Sequence, residues 1–337
     1  MIIVMNPLAA GGSSVRKWNQ IEHIVHSITT SPGIFLLNGR ASTERFIRNS
    51  LRMGETRFVA AGGDGTVNAL LNELLSAATP EQRMRLQIGA IGLGSSNDFH
   101  KPFGPAGMIG TIPGKVNFHD TACRDVGCVS FEKNGGFVTR YFLVNASIGV
   151  TAEANLFFNT PGRFLRMLKR AHTPAAILFA ALKTIVSYRN IRITLRRPGF
   201  PERDLSLTNL ALLKSPHVSG SLCYNAAIPP DDGLLRAYLC TRMTKLELLR
   251  LLWTLSGGSL QPGGASRAGG PGGDDPARGA AGFTSTPGTV PKIESFELPS
   301  ILVTSSEPFA VEYDGEVVTT SVAQFSVLPR HLQVCRS

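Results

Sequence analysis

A run of glycines around a single acid, Gly62-Gly63-Asp64-Gly65-Thr66-Val67-Asn68, carries the strongest chemical signal in the chain. Glycines let the backbone adopt unusual conformations and let a phosphate approach bare N–H groups. The following segment is predicted to be a helix, whose N-terminus favours an anion. Asp64 would suit a metal ion or a hydroxyl proton within such a loop, although a tight strand–helix turn with Asp64 as its N-cap also explains the pattern.

Two further glycine-containing loops follow predicted strands. One is Gly92-Leu93-Gly94-Ser95-Ser96-Asn97-Asp98-Phe99, and the other is Asn6-Pro7-Leu8-Ala9-Ala10-Gly11-Gly12. The carboxyl ends of parallel strands meet at one edge of a sheet, where open α/β sheets bind ligands. Three such loops together therefore predict a nucleotide site.

An alternation of strand and helix signals positions these loops. Strands are predicted at 2–5, 34–37, 57–61 and 86–91, and helices at about 14–28, 42–52 and 67–77. Strand–loop–helix repeats of this kind favour a parallel sheet covered by helices. We therefore predict an α/β nucleotide-binding domain over residues 1–120.

The pattern changes after about residue 120 to short β segments with a few helical insertions. The β segments are predicted at 125–132, 141–146, 191–196, 205–214, 234–240, 300–304, 309–313 and 324–328, and the helices at about 151–158, 163–170, 175–188 and 245–255. This predicts a mainly antiparallel β domain over residues 121–337. Residues 257–291 contain eleven Gly and five Pro without apolar periodicity, which favours a flexible loop within it.

Five motifs occur in an order that resembles one known family. They are Asn6-Pro7 with its trailing glycines, the loop at 62–66, Gly94-Ser95-Ser96-Asn97-Asp98-Phe99, Pro229-Pro230-Asp231-Asp232-Gly233 and Asp314-Gly315-Glu316. In these motifs the chain resembles the diacylglycerol kinase/sphingosine kinase lipid-kinase family, most of all its soluble bacterial members with a DAGK catalytic domain. The glycine loop is shared with NAD kinases and phosphofructokinases, whereas the late Asp-Gly-Glu motif separates the lipid kinases from them.

This resemblance implies an N-terminal fold like that of NAD kinases and lipid kinases, and ATP-dependent transfer of phosphate to a lipid hydroxyl with Mg²⁺. The active site would lie in the cleft between the two domains. By position, the nucleotide contacts would be Asn6, Gly62, Gly63, Asp64, Gly65, Thr66, Asn68 and Ser95. Glu316 would accept the proton, with Asp314 beside it and Asp64 also catalytic. A structural Mg²⁺ would be held by Asp232 and by the carbonyls of Pro229 and Leu234.

Both late acidic motifs also have purely structural interpretations. Asp314-Gly315 between alternating apolar flanks is a strong hairpin signal, so we expect a turn that is also a site. For Asp231-Asp232-Gly233 a turn and a metal site are equally consistent with the sequence.

Positive charge is concentrated in one stretch. The formal net charge is +10, from 34 Lys and Arg against 24 Asp and Glu. Residues 163–203 contain ten Lys or Arg and one acid, Glu202, and therefore +9 of that excess. A basic amphipathic helix at 163–170 can lie on an anionic membrane surface, or can be a solvated helix face. No nucleic-acid-binding motif or run of stacking aromatics is present, so nucleic acid is not expected as a partner.

The cysteine content and the apolar segments predict the cellular compartment of the protein. The five cysteines are an odd number without CxxC spacing, which fits a reducing compartment. The short apolar start lacks the features of a signal peptide, and no apolar run approaches the roughly 20 residues of a spanning helix. We expect a cytoplasmic protein with peripheral membrane association, and we leave homodimer formation open.

Three functions remain open at this point. The first is a lipid kinase acting on diacylglycerol, a sphingoid base or a related lipid. The second is an NAD kinase-like or other small-molecule kinase on the same scaffold. The third is a non-catalytic lipid- or nucleotide-binding relative. The Asp314-Gly315-Glu316 motif disfavours the second, and the intact Asp64, Asp314 and Glu316 disfavour the third.

Overall fold

The computed structural model describes residues 1–29, 32–160, 162–220, 222–257 and 292–336. The loop predicted at 257–291 therefore lies outside the described residues, apart from Gly257. The elements up to residue 92 are β1 (Ile2–Met5), α1 (Ser14–Ile28), β2 (Gly33–Leu36), α2 (Arg40–Arg52), β3 (Arg57–Gly62), α3 (Asp64–Ala77), α4 (Pro80–Arg83) and β4 (Gln87–Gly92).

These early strands pair in parallel in the order β2-β1-β3-β4. Val59 of β3 lies opposite Ile3 on one side and Gly89 on the other. The inner strands are apolar and buried on both faces, as expected for strands covered by helices. Helix α3 buries one stripe, Leu70, Leu71, Leu74 and Leu75, because these residues recur at helical spacing.

The rest of the chain is dominated by antiparallel strands. Its strands are β5 (Met108–Ile109), β6 (Ile112–Lys115), β7 (Asn117–Lys133), β8 (Gly136–Phe142), β9 (Asn145–Gly149), β10 (Ile191–Arg196), β11 (Arg203–Leu213), β12 (His217–Val218), β13 (Leu222–Cys223), β14 (Leu235–Thr241), β15 (Ile293–Leu298), β16 (Ser300–Tyr313) and β17 (Glu316–Arg336). Its helices are α5 (Val150–Asn159), α6 (Arg163–Ala171), α7 (Thr173–Ser187) and α8 (Lys245–Leu255).

All the described strands except β12 and β13, which pair with each other, belong to one hydrogen-bonded sheet. Strand β17 pairs antiparallel with β16 and β7. Near its end, Gln333 and Val334 pair in parallel with Gln87 and Ile88 of β4. The expected domain boundary near residue 120 falls inside the long strand β7. The two predicted regions are thus linked by strand pairing as well as by chain connectivity.

The buried apolar residues reflect this continuity. One cluster packs Val4, Phe58 and Leu71 together with Leu332 and Val334. A second cluster lies among the antiparallel strands and includes Phe131, Phe142, Leu210, Val311 and Phe325. The alternation of β-branched and aromatic residues along these strands supplies one buried face of the sheet.

Helices α5, α7 and α8 pack together on one side of the antiparallel strands, and α5 contacts β9 and β16. Helix α8 begins with a capping box, in which the Thr244 hydroxyl accepts from Glu247 N and the Glu247 carboxylate accepts from Thr244 N. Its Leu248 packs with Ile185 of α7 and with Cys240 and Met243. These contacts hold the helices together above the sheet.

Candidate active site

Two glycine loops touch each other where β3 and β4 end. Gly94 N donates to the Gly62 carbonyl over 3.1 Å. A Cβ added to Gly94 would lie 2.4 Å from Gly63 Cα, closer than real Cβ atoms approach backbone. A Cβ on Gly62 would lie 2.2 Å from the Thr66 hydroxyl oxygen. Gly94 is therefore required by close approach to the backbone of Gly63, and Gly62 by the packing of the Thr66 side chain.

The first loop is fastened to the same place through Asn6. Its N–H donates to the Ala61 carbonyl over 2.9 Å, and its side-chain amide donates to Thr66 Oγ1 over 3.2 Å. Beyond it, Ala10, Gly11 and Gly12 all have positive φ, which turns the chain tightly before α1. The three predicted loops thus meet at one edge of the sheet.

Asp64 lies at the first residue of α3, largely buried between the loops. Its Oδ1 accepts a 3.0 Å hydrogen bond from Phe99 N. Burial raises the pKa of Asp64, and the nearby Asp98 carboxylate raises it further. Asp98 is itself held by Gly220 N at 2.9 Å and by the Lys101 ammonium at 2.6 Å. An added cation would therefore favour ionised Asp64.

The Asp-Gly-Glu motif forms the tight turn between β16 and β17. Tyr313 pairs with Glu316, and Asp314 and Gly315 take φ values of 46° and 89°. Two consecutive positive φ values match the hairpin turn that Asp-Gly prefers. The sequence-based expectation of a turn at this point is confirmed.

The Asp314 carboxylate points inward and is surrounded by donors. Backbone N–H groups of Leu143, Val144 and Asn145 donate to it over 2.8, 2.9 and 3.1 Å, and Asn68 Nδ2 donates over 3.1 Å. Burial raises the pKa of Asp314 to about 6, while these donors lower it. Because every neighbour donates, the arrangement suits a carboxylate that anchors the hairpin.

Glu312 is a buried acid in the cavity that lies outside the sequence motifs. Its Oε2 accepts from Asn145 Nδ2 at 2.9 Å and from the Ser147 hydroxyl at 2.7 Å, and its Oε1 accepts from Gly315 N at 2.7 Å. Burial raises the pKa of Glu312 to about 7. No sequence motif includes Glu312, whose partners Asn145 and Ser147 come from a distant strand, β9.

One cavity of about 730 Å³ joins these groups. Its polar end is lined by the three loops and by the carboxyl-bearing residues 312, 314 and 316. Its apolar end is lined by α5, α7 and α8, through Val150, Ala154, Ile177, Ala181, Ile185, Leu251, Leu252 and Leu255. The volume lies in the roughly 300–1,000 Å³ range of ligand sites.

Most of the predicted nucleotide-contacting and catalytic residues line this cavity. Those that do are Asn6, Gly63, Asp64, Gly65, Thr66, Ser95, Asp314 and Glu316. Gly62 is buried at the end of β3, behind the loop. Asn68 is also buried and donates to the Tyr141 carbonyl and to Asp314, so it braces the hairpin instead of lining the cavity.

The predicted structural magnesium position contains a lysine ammonium. Lys214 Nζ lies 2.9 Å from Asp232 Oδ1, 3.1 Å from the Pro229 carbonyl and 2.8 Å from the Leu234 carbonyl. All three expected ligand oxygens therefore already accept hydrogen bonds from the Lys214 ammonium. Within the described residues, no cluster of three or more His, Cys, Asp or Glu side chains could hold a metal ion. As they stand, these residues do not fit Mg²⁺.

Comparison with known proteins agrees with the motif-based resemblance. Residues 1–125 match the model of the diacylglycerol kinase catalytic domain. A protein of Chromohalobacter salexigens named "Probable lipid kinase YegS-like" is 29% identical over 216 residues, which cover 62% of this chain and 61% of that protein. A sphingoid long-chain bases kinase 1 of Arabidopsis thaliana is 22% identical over 99 residues, 29% of this chain and 13% of that protein. The alignments thus span less than two thirds of these relatives.

Solved structures share the fold over the whole chain. A structure described as a diacylglycerol kinase from Bacillus anthracis has a TM-score of 0.60 at 14% identity, covering 100% of this chain and 96% of its own. A second structure from that organism reaches a TM-score of 0.67 at 17% identity with the same coverage. Together with the catalytic-domain match, these findings confirm the resemblance to the diacylglycerol kinase/lipid kinase family.

Proposed function

We propose that the protein is an ATP-dependent lipid kinase that transfers the γ-phosphate to a lipid hydroxyl. The observation that carries this proposal is the single cavity of about 730 Å³, in which glycine loops at one end face an apolar helical pocket at the other. The carboxyl-bearing hairpin lines the same cavity. A phosphate donor and an apolar acceptor could therefore meet beside Glu316.

The loop end suits the phosphates of ATP. Gly63, Gly65 and Thr66 lie at the N-terminus of α3, where the helix dipole favours anions, although the N–H of Thr66 already donates to the Gly63 carbonyl over 2.8 Å. When bound with ATP, Mg²⁺ would neutralise charge on the transferring phosphate. Asp64 is the carboxylate of this loop and the residue that we expect to meet that ion.

The two acids of the hairpin have different proposed roles, Asp314 in positioning the turn and Glu316 in accepting a proton. Asp314 is fully engaged by four donors and positions the turn. Glu316 is exposed and lines the cavity, so its carboxylate can reach an acceptor hydroxyl and take its proton as the new O–P bond forms. We therefore assign the proton acceptor to Glu316.

The apolar end favours a lipid acceptor over the alternatives. Leucine, isoleucine and alanine side chains from three helices line it, which suits an acyl chain better than the polar ribose and nicotinamide of NAD. Diacylglycerol, a sphingoid base and related lipids all present a hydroxyl beside such a chain.

The outer surface of α6, α7 and α8 supports peripheral docking on an anionic membrane. Large apolar side chains are exposed there, namely Phe164, Met167, Leu178, Leu182, Val186, Leu246, Leu249 and Trp253. Arg163, Arg166, Lys183, Lys245 and Arg250 are on the same helices. Apolar residues that can insert, next to basic residues, are the features of an interfacial surface.

Other basic residues of the 163–203 stretch do not belong to this surface. Arg196 forms an ion pair with Glu202, and Arg203 makes a bidentate pair with Glu294 at 2.9 Å, all on strands or their connections. The proposed membrane surface is therefore the three helices and not the whole stretch. No described helix combines the length and apolarity needed to cross a membrane.

The decisive experiment supplies radiolabelled ATP and Mg²⁺ with mixed vesicles that contain diacylglycerol, a sphingoid base or another hydroxyl lipid, and with NAD in a parallel reaction. A labelled lipid and unlabelled NAD support the proposal, and Asp64→Asn should abolish labelling while the fold is retained. Asp120→Asn, at an exposed position, is the matched control. Labelled NAD, or no labelled lipid with any acceptor, would refute the proposal.

A further inference from the structure

The Lys214 ammonium lies in a closed cage of four oxygens. Besides Asp232 and the two carbonyls of Pro229 and Leu234, Asp125 Oδ2 lies 2.7 Å away. The lysine side chain is 2% exposed and that of Asp125 is fully buried. All four distances, from 2.7 to 3.1 Å, are hydrogen-bond lengths, whereas Mg²⁺ binds oxygen at roughly 2.0–2.1 Å.

The cage is built from segments that are distant in the sequence. Asp125 is on β7, Lys214 directly follows β11, and the carbonyls belong to the turn that precedes β14. Asp125 also accepts from Gly233 N and from Arg330 N, each over 2.8 Å. Without a cation, two carboxylates and two carbonyls would face each other, which is electrostatically unfavourable inside a protein.

The ammonium therefore takes the role of a bound cation. It neutralises one of the two carboxylates and links the turn at 229–234 to β7 and β11 through hydrogen bonds. Lys214 N also donates to the Val144 carbonyl over 2.9 Å, while Val144 N donates to Asp314. The cage thus abuts the backbone segment that anchors the catalytic hairpin.

We propose that Lys214 is a covalently built-in cation that replaces the structural metal ion expected here, so that the turn at 229–234 is held without Mg²⁺. The ammonium and a divalent ion cannot share the cage, because both would occupy the same oxygens and their charges repel. The proposal concerns this position alone and leaves the ion that accompanies ATP unaffected. It does not depend on which lipid, if any, is phosphorylated.

Thermal unfolding of the nucleotide-free protein tests this directly. After treatment with EDTA and dialysis, the wild-type melting temperature should be unchanged by added MgCl₂, and metal analysis should find no retained divalent ion. A melting temperature that rises with MgCl₂, or a stoichiometric ion that EDTA removes with loss of stability, would overturn the proposal.

Two substitutions make the test specific. Lys214→Ala removes the ammonium and leaves room among the oxygens, so its melting temperature should fall by several degrees and rise again with MgCl₂. Lys214→Met removes the charge but fills the space, so it should be destabilised without rescue. Lys292→Met, which breaks only a half-exposed pair with Glu247, is the control and should change little.

Each outcome bears on the proposal. A Lys214→Met variant as stable as the wild type would show that the cage needs no cation and would contradict it. If neither Lys214 variant folds, the EDTA and MgCl₂ comparison on the wild type still decides between an ammonium and a metal. Because all these readouts are thermal or analytical, a failure of the kinase proposal would leave them interpretable.

Discussion

Asn68, four residues after Asp64, donates a 3.1 Å hydrogen bond to the carboxylate of Asp314. This contact joins the helix that follows the glycine loop to the hairpin that carries Glu316. Both side chains are buried. The placement of the glycine loop relative to the hairpin is therefore supported by a direct polar contact.

The two acids of the hairpin should respond differently to substitution. Glu316→Gln should lower kcat by roughly 10²–10⁴-fold with an unchanged melting temperature, because the side chain is exposed and its proposed role is that of proton acceptor. Asp314→Asn should also destabilise the fold, by about 1–3 kcal/mol for each backbone N–H left unpaired. Urea unfolding and lipid phosphorylation by both variants measure this. Equal losses of stability would contradict the division of roles.

Glu312 should make stability fall as pH rises. Burial raises its pKa from 4.5 to about 7, so the folded state binds the proton more tightly than the unfolded state between these values. The penalty is absent below about pH 4.5 and complete above about pH 7, where it reaches roughly 3 kcal/mol at 1.36 kcal/mol per pKa unit.

Glu312→Gln removes this titration and serves as its measurement. Its free energy of unfolding minus that of the wild type should increase from pH 4.5 to pH 7.5, because only the wild type loses stability over this range, whatever constant loss arises from the altered hydrogen bonds. Glu307→Gln, at an exposed position, should show no such trend. A pH-independent difference for Glu312→Gln would show that its folded and unfolded pKa values are alike.

The contact between the glycine loops predicts a sharp effect of one methyl group. Gly94→Ala would place a Cβ 2.4 Å from Gly63 Cα, so one loop must move and the phosphate-binding N–H groups move with it. We expect at least a tenfold weaker affinity for an ATP analogue in equilibrium dialysis, together with a lower melting temperature. Gly104→Ala, where an added Cβ contacts nothing within 4 Å, should leave both unchanged.

Removal of exposed apolar residues from α6 and α8 should weaken vesicle binding. Phe164 and Trp253 are 56% and 58% exposed, and insertion of each would remove apolar area from water. Phe164→Ser with Trp253→Ser should lower partitioning onto anionic vesicles at least tenfold in a co-sedimentation assay. Met53→Ser, at an 88% exposed position far from these helices in sequence, is the control.

The same surface predicts how lipid and salt affect binding. Partitioning should increase with the anionic lipid fraction at about 1 kcal/mol per basic residue near the membrane, and decrease with ionic strength. Equal binding to neutral and anionic vesicles would contradict the proposed electrostatic contribution to membrane binding. Unchanged binding of the Phe164→Ser, Trp253→Ser variant would contradict the proposed apolar contribution.

Local signals in the sequence were sufficient for most elements. The stripe Leu70, Leu71, Leu74 and Leu75 predicted α3, and the Asp314-Gly315 pair predicted the hairpin, because both depend on neighbours along the chain. The predicted β segments at 300–304 and 309–313 instead form one strand, β16. Residues 305–308 interrupt its pairing with β17 at an irregularity, which resembles a loop when only composition is considered.

Other features depend on partners that no local pattern reveals. From the sequence, Lys214 is only a charged residue at the end of a strand. In the fold, Asp125 and the turn at 229–234 surround its ammonium. Asn68, which the sequence predicts to contact nucleotide, also donates to the Tyr141 carbonyl and to the Asp314 carboxylate. In both cases these partners come from a distant part of the chain, so spacing alone could not identify them.

The parallel pairing of Gln333 and Val334 with β4 also affects the order in which the site is completed during synthesis. Strand β4 leads into the second glycine loop, yet its neighbour β17 emerges from the ribosome only after the Glu316 hairpin has been made. The start of β4 therefore gains this parallel neighbour only from the last residues of the chain to be made, whereas Ala90 and Ile91, next to the second glycine loop, pair with β6.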